Sequence, residues 1–390
     1  MGQNNNIGQQ NSLSVFGNPA SFEKHIRNHG QLCKIKQALP CPCSAKNHGS
    51  PDDYCELCDG NGFIYKYQRD FFISDEQSRG CSNKIYPFYT PIRSVKTVQA
   101  VLSDAQGGIR EIAVNSFSDT EIVLSEQLDR FIKKRVSYYY DGWTLIENDE
   151  LTVLKDYKIF IANGTKYDAG LQSSNPLDAY LDIVKIKKIY NEDGSEITNY
   201  KFNGNTIEVN ENVTIKDGKY YADYYVADST FVLSSDIKRK NNSEEWTHEL
   251  TSGECKMAFF PWWNLTTGDL IILASTVVYK NETLTHTGNK DKLWEIEVFE
   301  LDDTIIDEDG NSYSINTDYI LQGNYIRWIG NKPSNAGKVI SLRYGYKPTY
   351  IIFEDNPEPN NLENKQYPKL VYAKSWSKIN KDDVKKLIGG

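Results

Sequence analysis

The sequence predicts a mainly β protein: an N-terminal cysteine knuckle followed by about three small antiparallel β-sandwich-like domains in series, with extended arms at both ends. Three observations carry this. Aromatic and β-branched residues, 26 tyrosines among them, recur in short runs. Asn-Gly, Asp-Gly and Gly-Asn pairs separate those runs, as tight hairpins require. Four cysteines arrive as two close pairs, Cys41 with Cys43 and Cys55 with Cys58. A chain of 390 residues is long enough for two or three separate cores.

Residues 1–20 are polar, rich in Asn and Gln and nearly uncharged. They have too little apolar surface to offset the entropy of ordering, and are expected to be an arm that frays or docks on a neighbouring subunit. Ser21 could cap a short helix, although Lys24 stands where a capping box wants Glu or Gln.

The segment 21–85 is organised by CPCSAKNHGSPDDYCELCDGNG, Cys41 to Gly62. Tetrahedral zinc takes four soft ligands, and each close pair supplies two thiolates from one turn. Asp59-Gly60-Asn61-Gly62 tolerates the positive φ values with which a knuckle turns its amides toward sulfur. The expected ligands are therefore Cys41, Cys43, Cys55 and Cys58, around a structural Zn2+. C-x-C is a residue shorter than the usual first knuckle, so Cys33, His48 or Cys81 could replace one of the four. Two disulfides are an alternative, against which stand the expected absence of a secretory signal and a length that needs no stapling. Redox thiols are another, but the surrounding βαβ pattern is missing. A four-thiolate shell leaves no position for a reacting water, so the metal is expected to hold structure. Phe63 to Gln68 alternates as a strand leaving the knuckle.

From Ile92 onward one layout repeats three times. The first copy begins IRSVKTVQAVLSDAQGGIREI and closes with RVSYYY at Tyr140. The second begins IVKIKKIYNEDGSEI at Ile183 and closes with YYADYYV at Val226. The third begins VFELDDTIIDEDGNSYSI at Val298 and closes with VISLRYGY at Tyr346. Each reads as a strand, a hairpin, a strand, a short strand and a Tyr-rich closing strand. Asp193-Gly194, Asp309-Gly310 and Gly107-Gly108 are the hairpin turns. A period near 100 residues is too long for a solenoid, so the copies are expected as serial domains at 86–145, 146–235 and 236–352.

Between the second and third copies, Lys238 to Glu254 reads as a polar surface excursion, whereas Met257 to Leu273 is the most apolar stretch. Its Trp262-Trp263 pair is either a core plug or interdomain seam, or a sugar-stacking platform or protein contact. In residues 353–390, Pro357, Pro359 and Pro368 preclude a regular helix, which leaves an extended tail wrapping a neighbour or its own domains. Asn380 could cap a last helical turn.

Composition narrows function. Five histidines leave few candidates for proton transfer near neutral pH, and no phosphate-loop, esterase-elbow or zinc-protease motif is present. The acidic pairs Asp302-Asp303, Asp307-Glu308 and Asp382-Asp383 read as solvated acidic turns and ends. A formal net charge of −9 argues against a dedicated nucleic-acid binder. No apolar run approaches the ~20 residues of a membrane span.

CPCSAKNHGSPDDYCELCDGNGFIY, together with GNYIRWIGNKPSNAGKVISLRYGYKPTYII (Gly323 to Ile352), resembles virion structural proteins of tailed bacteriophages. The resemblance covers the knuckle and the last domain, and the middle only by layout. It implies Cys41, Cys43, Cys55 and Cys58 as metal ligands, and Pro333, Gly337 and Tyr344 as turn and strand positions of a β-sandwich. It further implies a non-enzymatic neck, connector or collar component that joins head and tail as a ring-forming homo-oligomer. Its partners would be portal, adaptor or tail proteins, and its place the virion, assembled in the host cytoplasm. The alternatives are a tail, baseplate or head-decoration module binding host glycans or other virion proteins, and, more remotely, a wall-polysaccharide hydrolase. The run through Gly60 and Gly62 also resembles one zinc repeat of DnaJ-type chaperones, but a single copy without a J-domain does not make a chaperone.

Overall fold

The computed structural model describes residues 25–379 except 27, 47–50, 53–54, 56, 59, 79–81, 102–107, 130–131, 165–182, 236–253, 261, 302–303, 356–360, 363–364 and 367–368. The N-terminal arm, the Ser21 cap, His48, Cys81, the Asp302-Asp303 pair, most of the Lys238 excursion and the Asn380 turn lie outside the described residues. The fold is mainly β, with several small antiparallel sheets. No helix among the described residues is long and apolar enough to cross a membrane. The chain divides into two compact units. One comprises residues 68–144 with 262–264; the other holds the rest.

Each repeat copy builds two sheets on one plan. In the first module, Asp70–Ser78, Lys133–Asp141, Ile92–Val101 and Ile109–Glu111 lie in that order, and the second sheet runs Lys84–Ile85, Ile122–Leu124, Val114–Phe117. In the second module the order is Trp143–Glu150, Tyr220–Ala227, Ile183–Asn191, Glu196–Ile197, with Thr152–Leu154, Ile159–Ile161, Thr206–Val209, Tyr200–Asn203 opposite. In the third, Val278–Thr285, Val339–Tyr346, Thr304–Asp307 and Ser312–Ser314 face Lys290–Lys292, Tyr325–Trp328 and Tyr319–Gln322. The Tyr-rich closing strand always lies second, next to a leading strand upstream of the repeat as the sequence displays it. These leading strands escape a sequence reading because their side chains are mostly polar, as in VYKNETLT of the third module.

The modules owe their cores to alternation. In Val339–Tyr346, Ile340, Leu342 and Tyr344 are buried while Val339, Ser341 and Arg343 are exposed. Ile340, Leu342 and Tyr344 join Ile305, Tyr319, Ile326 and Trp328 in the core of the third module. Phe160, Ile189, Ile207, Ala222 and Tyr224 do the same in the second. Asp193-Gly194 and Asp309-Gly310 turn the expected hairpins, with Gly194 at φ 81° and Gly310 at φ 84°. Trp262 and Trp263 pack inside the first module's unit: Trp263 lies edge-on to Phe71 at 4.4 Å and Trp262 edge-on to Tyr89 at 4.9 Å.

Strands outside the copies gather into a seven-stranded antiparallel sheet, in the order Thr230–Ser235, Glu254–Phe259, Lys369–Ser375, Thr349–Asp355, Leu270–Leu273, Gln31–Pro40, Phe63–Tyr67. Thr230–Ser235 also pairs with Gln31–Pro40, so six of the seven strands close into a ring, which leaves no free edge among them. Cross-strand pairs such as Met257 with Val371 and Cys255 with Ala373 put buried residues on one face of it. The C-terminal segment thus wraps its own protein at Lys369–Ser375, held between two strands.

Candidate metal centre

The cysteine run is the connection between the two strands that carry it. Gln31–Pro40 and Phe63–Tyr67 pair antiparallel from Lys36 opposite Tyr67 to Pro40 opposite Phe63. The Cys41 amide then donates to the Gly62 carbonyl at 2.8 Å, closing the base of the loop. Below it, Phe63 packs with Leu270, Ile351, Trp376 and Ile379. Gly268, at φ 96°, lets the next turn come close: a Cβ there would lie 3.1 Å from the Phe63 ring and 3.3 Å from Ala38. Buried Asp269 accepts the Ala38 amide at 2.7 Å and the Thr266 amide at 2.8 Å, fixing the strand that leads into the knuckle.

The first pair lies on a short helix, Pro42–Lys46, and the residue before it, with the Ser44 amide donating to the Cys41 carbonyl. The second lies on a turn in which the Asn61 amide donates to the Cys58 carbonyl at 2.8 Å and Gly60 and Gly62 take φ of 75° and 82°. Glycine accepts these angles without the penalty a Cβ imposes.

All four sulfurs lie within 4.8 Å of one another. The close approaches cross between the turns: Cys41 Sγ to Cys55 Sγ is 3.7 Å, and Cys43 Sγ to Cys58 Sγ is 3.6 Å. Four thiolates ~2.3 Å from a central tetrahedral ion would stand about 3.8 Å apart, so this spacing fits such an ion. The thiols are free, and these separations far exceed the ~2.05 Å of a disulfide, which removes the two-disulfide alternative. Cys33, a candidate substitute ligand, is instead fully buried on its strand and outside the four-thiol group.

The environment of the thiols is uneven. Burial pushes Cys58 up to about 12 and raises Cys41 as well, while the Asp52 backbone amide holds Cys43 down at about 7. At neutral pH the buried thiols therefore keep their protons unless a cation replaces them. Such a site can bind a soft metal ion and release protons in doing so.

A second set of polar groups, recurring in every module, escaped the sequence reading. On each closing strand a buried tyrosine donates its hydroxyl to a carboxylate on the leading strand. The pairs are Tyr138 with Glu76 at 2.5 Å, Tyr224 with Asp149 at 2.8 Å and Tyr344 with Glu282 at 2.5 Å. Backbone groups of Tyr89, Gly164 and Glu295, which follow the second-sheet strands Lys84–Ile85, Ile159–Ile161 and Lys290–Lys292, hydrogen-bond to the same phenols. Burial first, then the carboxylate, raises all three phenols well above the ordinary tyrosine range. The Tyr-rich closing strands were the available signal; their partners lay on the unrecognised leading strands.

Fold and site together define a mainly β, multi-module protein with a four-thiol cluster capable of binding a metal ion. No family model matches the chain, and no curated protein matches it in sequence.

Proposed function

We propose that this chain is a non-enzymatic structural protein of a tailed-phage particle, a ring-forming neck, connector or collar subunit that joins head to tail and carries one structural Zn2+ on Cys41, Cys43, Cys55 and Cys58. The observation that carries the reading is the four-thiol knuckle at the tip of a hairpin ahead of three like β-modules, the combination on which the resemblance to virion proteins rests. A metal there stiffens a segment that leaves apolar side chains unburied, as Leu57, 69% exposed, illustrates. A ring subunit needs stiff modules and reaching termini. The acidic balance suits a channel wall past which DNA slides. Portal, adaptor or tail proteins are the partners of this reading.

Mass photometry of the purified protein and cryo-microscopy of the virion test it. Rings, and density for this chain at the neck, are the expected results; a monomer absent from the neck defeats the reading. A second reading, a tail, baseplate or decoration module that binds glycans, draws support from the exposed face of the third module.

A further inference from the structure

We propose that the outer face of the first sheet of the third module binds a glycan that carries a carboxylate, with Arg343 as its anionic anchor. This goes beyond the connector reading and does not depend on it.

The three modules serve as one another's controls. The residue just before the buried tyrosine of the closing strand is Ser137, Asp223 or Arg343. In the first two modules that residue is buried. There the leading strand carries a left-handed residue just before its carboxylate, Asp75 at φ 53° and Asn148 at φ 56°. The Asp75 amide donates to Ser137 Oγ at 3.0 Å, and the Asn148 amide to Asp223 Oδ1 at 2.9 Å. Backbone and side chain thus close this position. The first-module strand also slips register there, between Ile73 and Glu76.

The third module departs from this. Val278–Thr285 pairs with Val339–Tyr346 residue for residue without a slip, and Asn281, opposite Arg343, has no left-handed backbone. Arg343 is exposed, and among the described residues it forms no ion pair. Its guanidinium lies over the Tyr279 ring, 5.0 Å from the centroid, held in place without being neutralised. Beside it lies an open depression of about 430 Å³, whose lining includes Asn281, Thr283, Thr304, Ile306, Ser341 and Arg343, with Glu282 and Leu342 at its floor. The Glu282 carboxylate, part-exposed beside this depression, is engaged by the Tyr344 hydroxyl and not by the guanidinium.

The chemistry of this lining selects its ligand. A guanidinium takes a carboxylate through two parallel hydrogen bonds. Amide and hydroxyl side chains that both donate and accept match the hydroxyls of a sugar ring, and Ile306, 49% exposed, offers an apolar patch to the C–H face. Open, and presenting an apolar patch beside its polar side chains, the depression suits the amphipathic face of a pyranose.

The test is calorimetric titration of the full-length protein with oligogalacturonate, sialyllactose and muramyl dipeptide, and with chitotetraose and lactose as neutral controls. At least one acidic probe is expected to bind saturably and roughly ten-fold more tightly than the neutral sugars. Arg343→Ala and Asn281→Ala should each weaken it, Arg343→Lys less than Arg343→Ala, and added salt should weaken it further. Lys188→Ala on the second module should leave it unchanged. Both face residues are exposed, and circular dichroism of the variants confirms that they fold. The proposal fails if no acidic probe saturates up to about 10 mM, far into the weak range. It also fails if neutral sugars bind equally well, or if Arg343→Ala binds as the parent does.

Discussion

The cysteine knuckle and the β-modules hold irregular loops in place by opposite means. In the modules, a loop is fastened by a buried phenol and carboxylate that sit inside an apolar core already formed, as Tyr224 and Asp149 do among Phe160, Ile189 and Ala222. Asp149 also takes the Asn163 and Gly164 amides, at 2.9 and 3.0 Å. Between Cys41 and Gly62 the described residues offer four converging sulfurs in place of such a core. The difference teaches where stability can reside: the modules contain their own, whereas the knuckle has four thiols that could draw it from a bound ion. Structural zinc contributes on the order of 10 kcal/mol to small domains, against ~1 kcal/mol net for one hydrogen bond.

The largest expected effect is therefore metal removal. Chelation, or Cys58→Ser, should expose residues 41–62 to proteolysis and release one ion per chain, while the far-ultraviolet strand signal of the modules persists. Loss of the strand signal along with the metal would erase the contrast between the two regions.

Next come the clamps. Asp149→Ala should cost about 3 kcal/mol in denaturant unfolding, because it strips partners from a buried phenol and two loop amides at once. Tyr344→Phe should cost less, about 1–2 kcal/mol, since the remaining Glu282 carboxylate is part-exposed. Neither should alter metal content.

A smaller effect is expected where the second and third modules meet. Arg327 grips Glu208 through two hydrogen bonds, of 2.6 and 2.9 Å, and Thr206 donates to the Leu321 carbonyl. Arg327 holds the Glu208 carboxyl below its usual range. Arg327→Ala should cost about 1 kcal/mol or less, as part-exposed pairs do.

The smallest concerns acid. Asn311, together with Tyr313 and the Asp309 amide, lowers Asp307 from 3.8 to about 2. A depressed carboxylate stabilises above its unfolded value, and that contribution fades as pH falls from about 3.8 toward 2. Asp307→Asn should remove this slope from the third module's unfolding curve while leaving neutral pH nearly unaffected.

Much of this was legible in the sequence. Short-range signals survived: Asp-Gly turns, period-two alternation in VISLRYGY, and paired cysteines whose spacing forces them together. Long-range pairing did not. Nothing local marks Lys369–Ser375 as a neighbour of Glu254–Phe259, or closes Gln31–Pro40 onto Thr230–Ser235, because register across such separations is set by the assembled core. The carboxylates Glu76, Asp149 and Glu282 likewise carry no local mark, because their tyrosine partners lie 62, 75 and 62 residues away along the chain.

The most direct test of the central contrast is metal analysis of the intact protein combined with X-ray absorption at the zinc edge. The account predicts one zinc per chain in a shell of four sulfurs at ~2.3 Å, lost in Cys58→Ser while the modules stay folded. Protein that purifies free of metal, keeps residues 41–62 protease-resistant in chelator and shows disulfides by mass would contradict it.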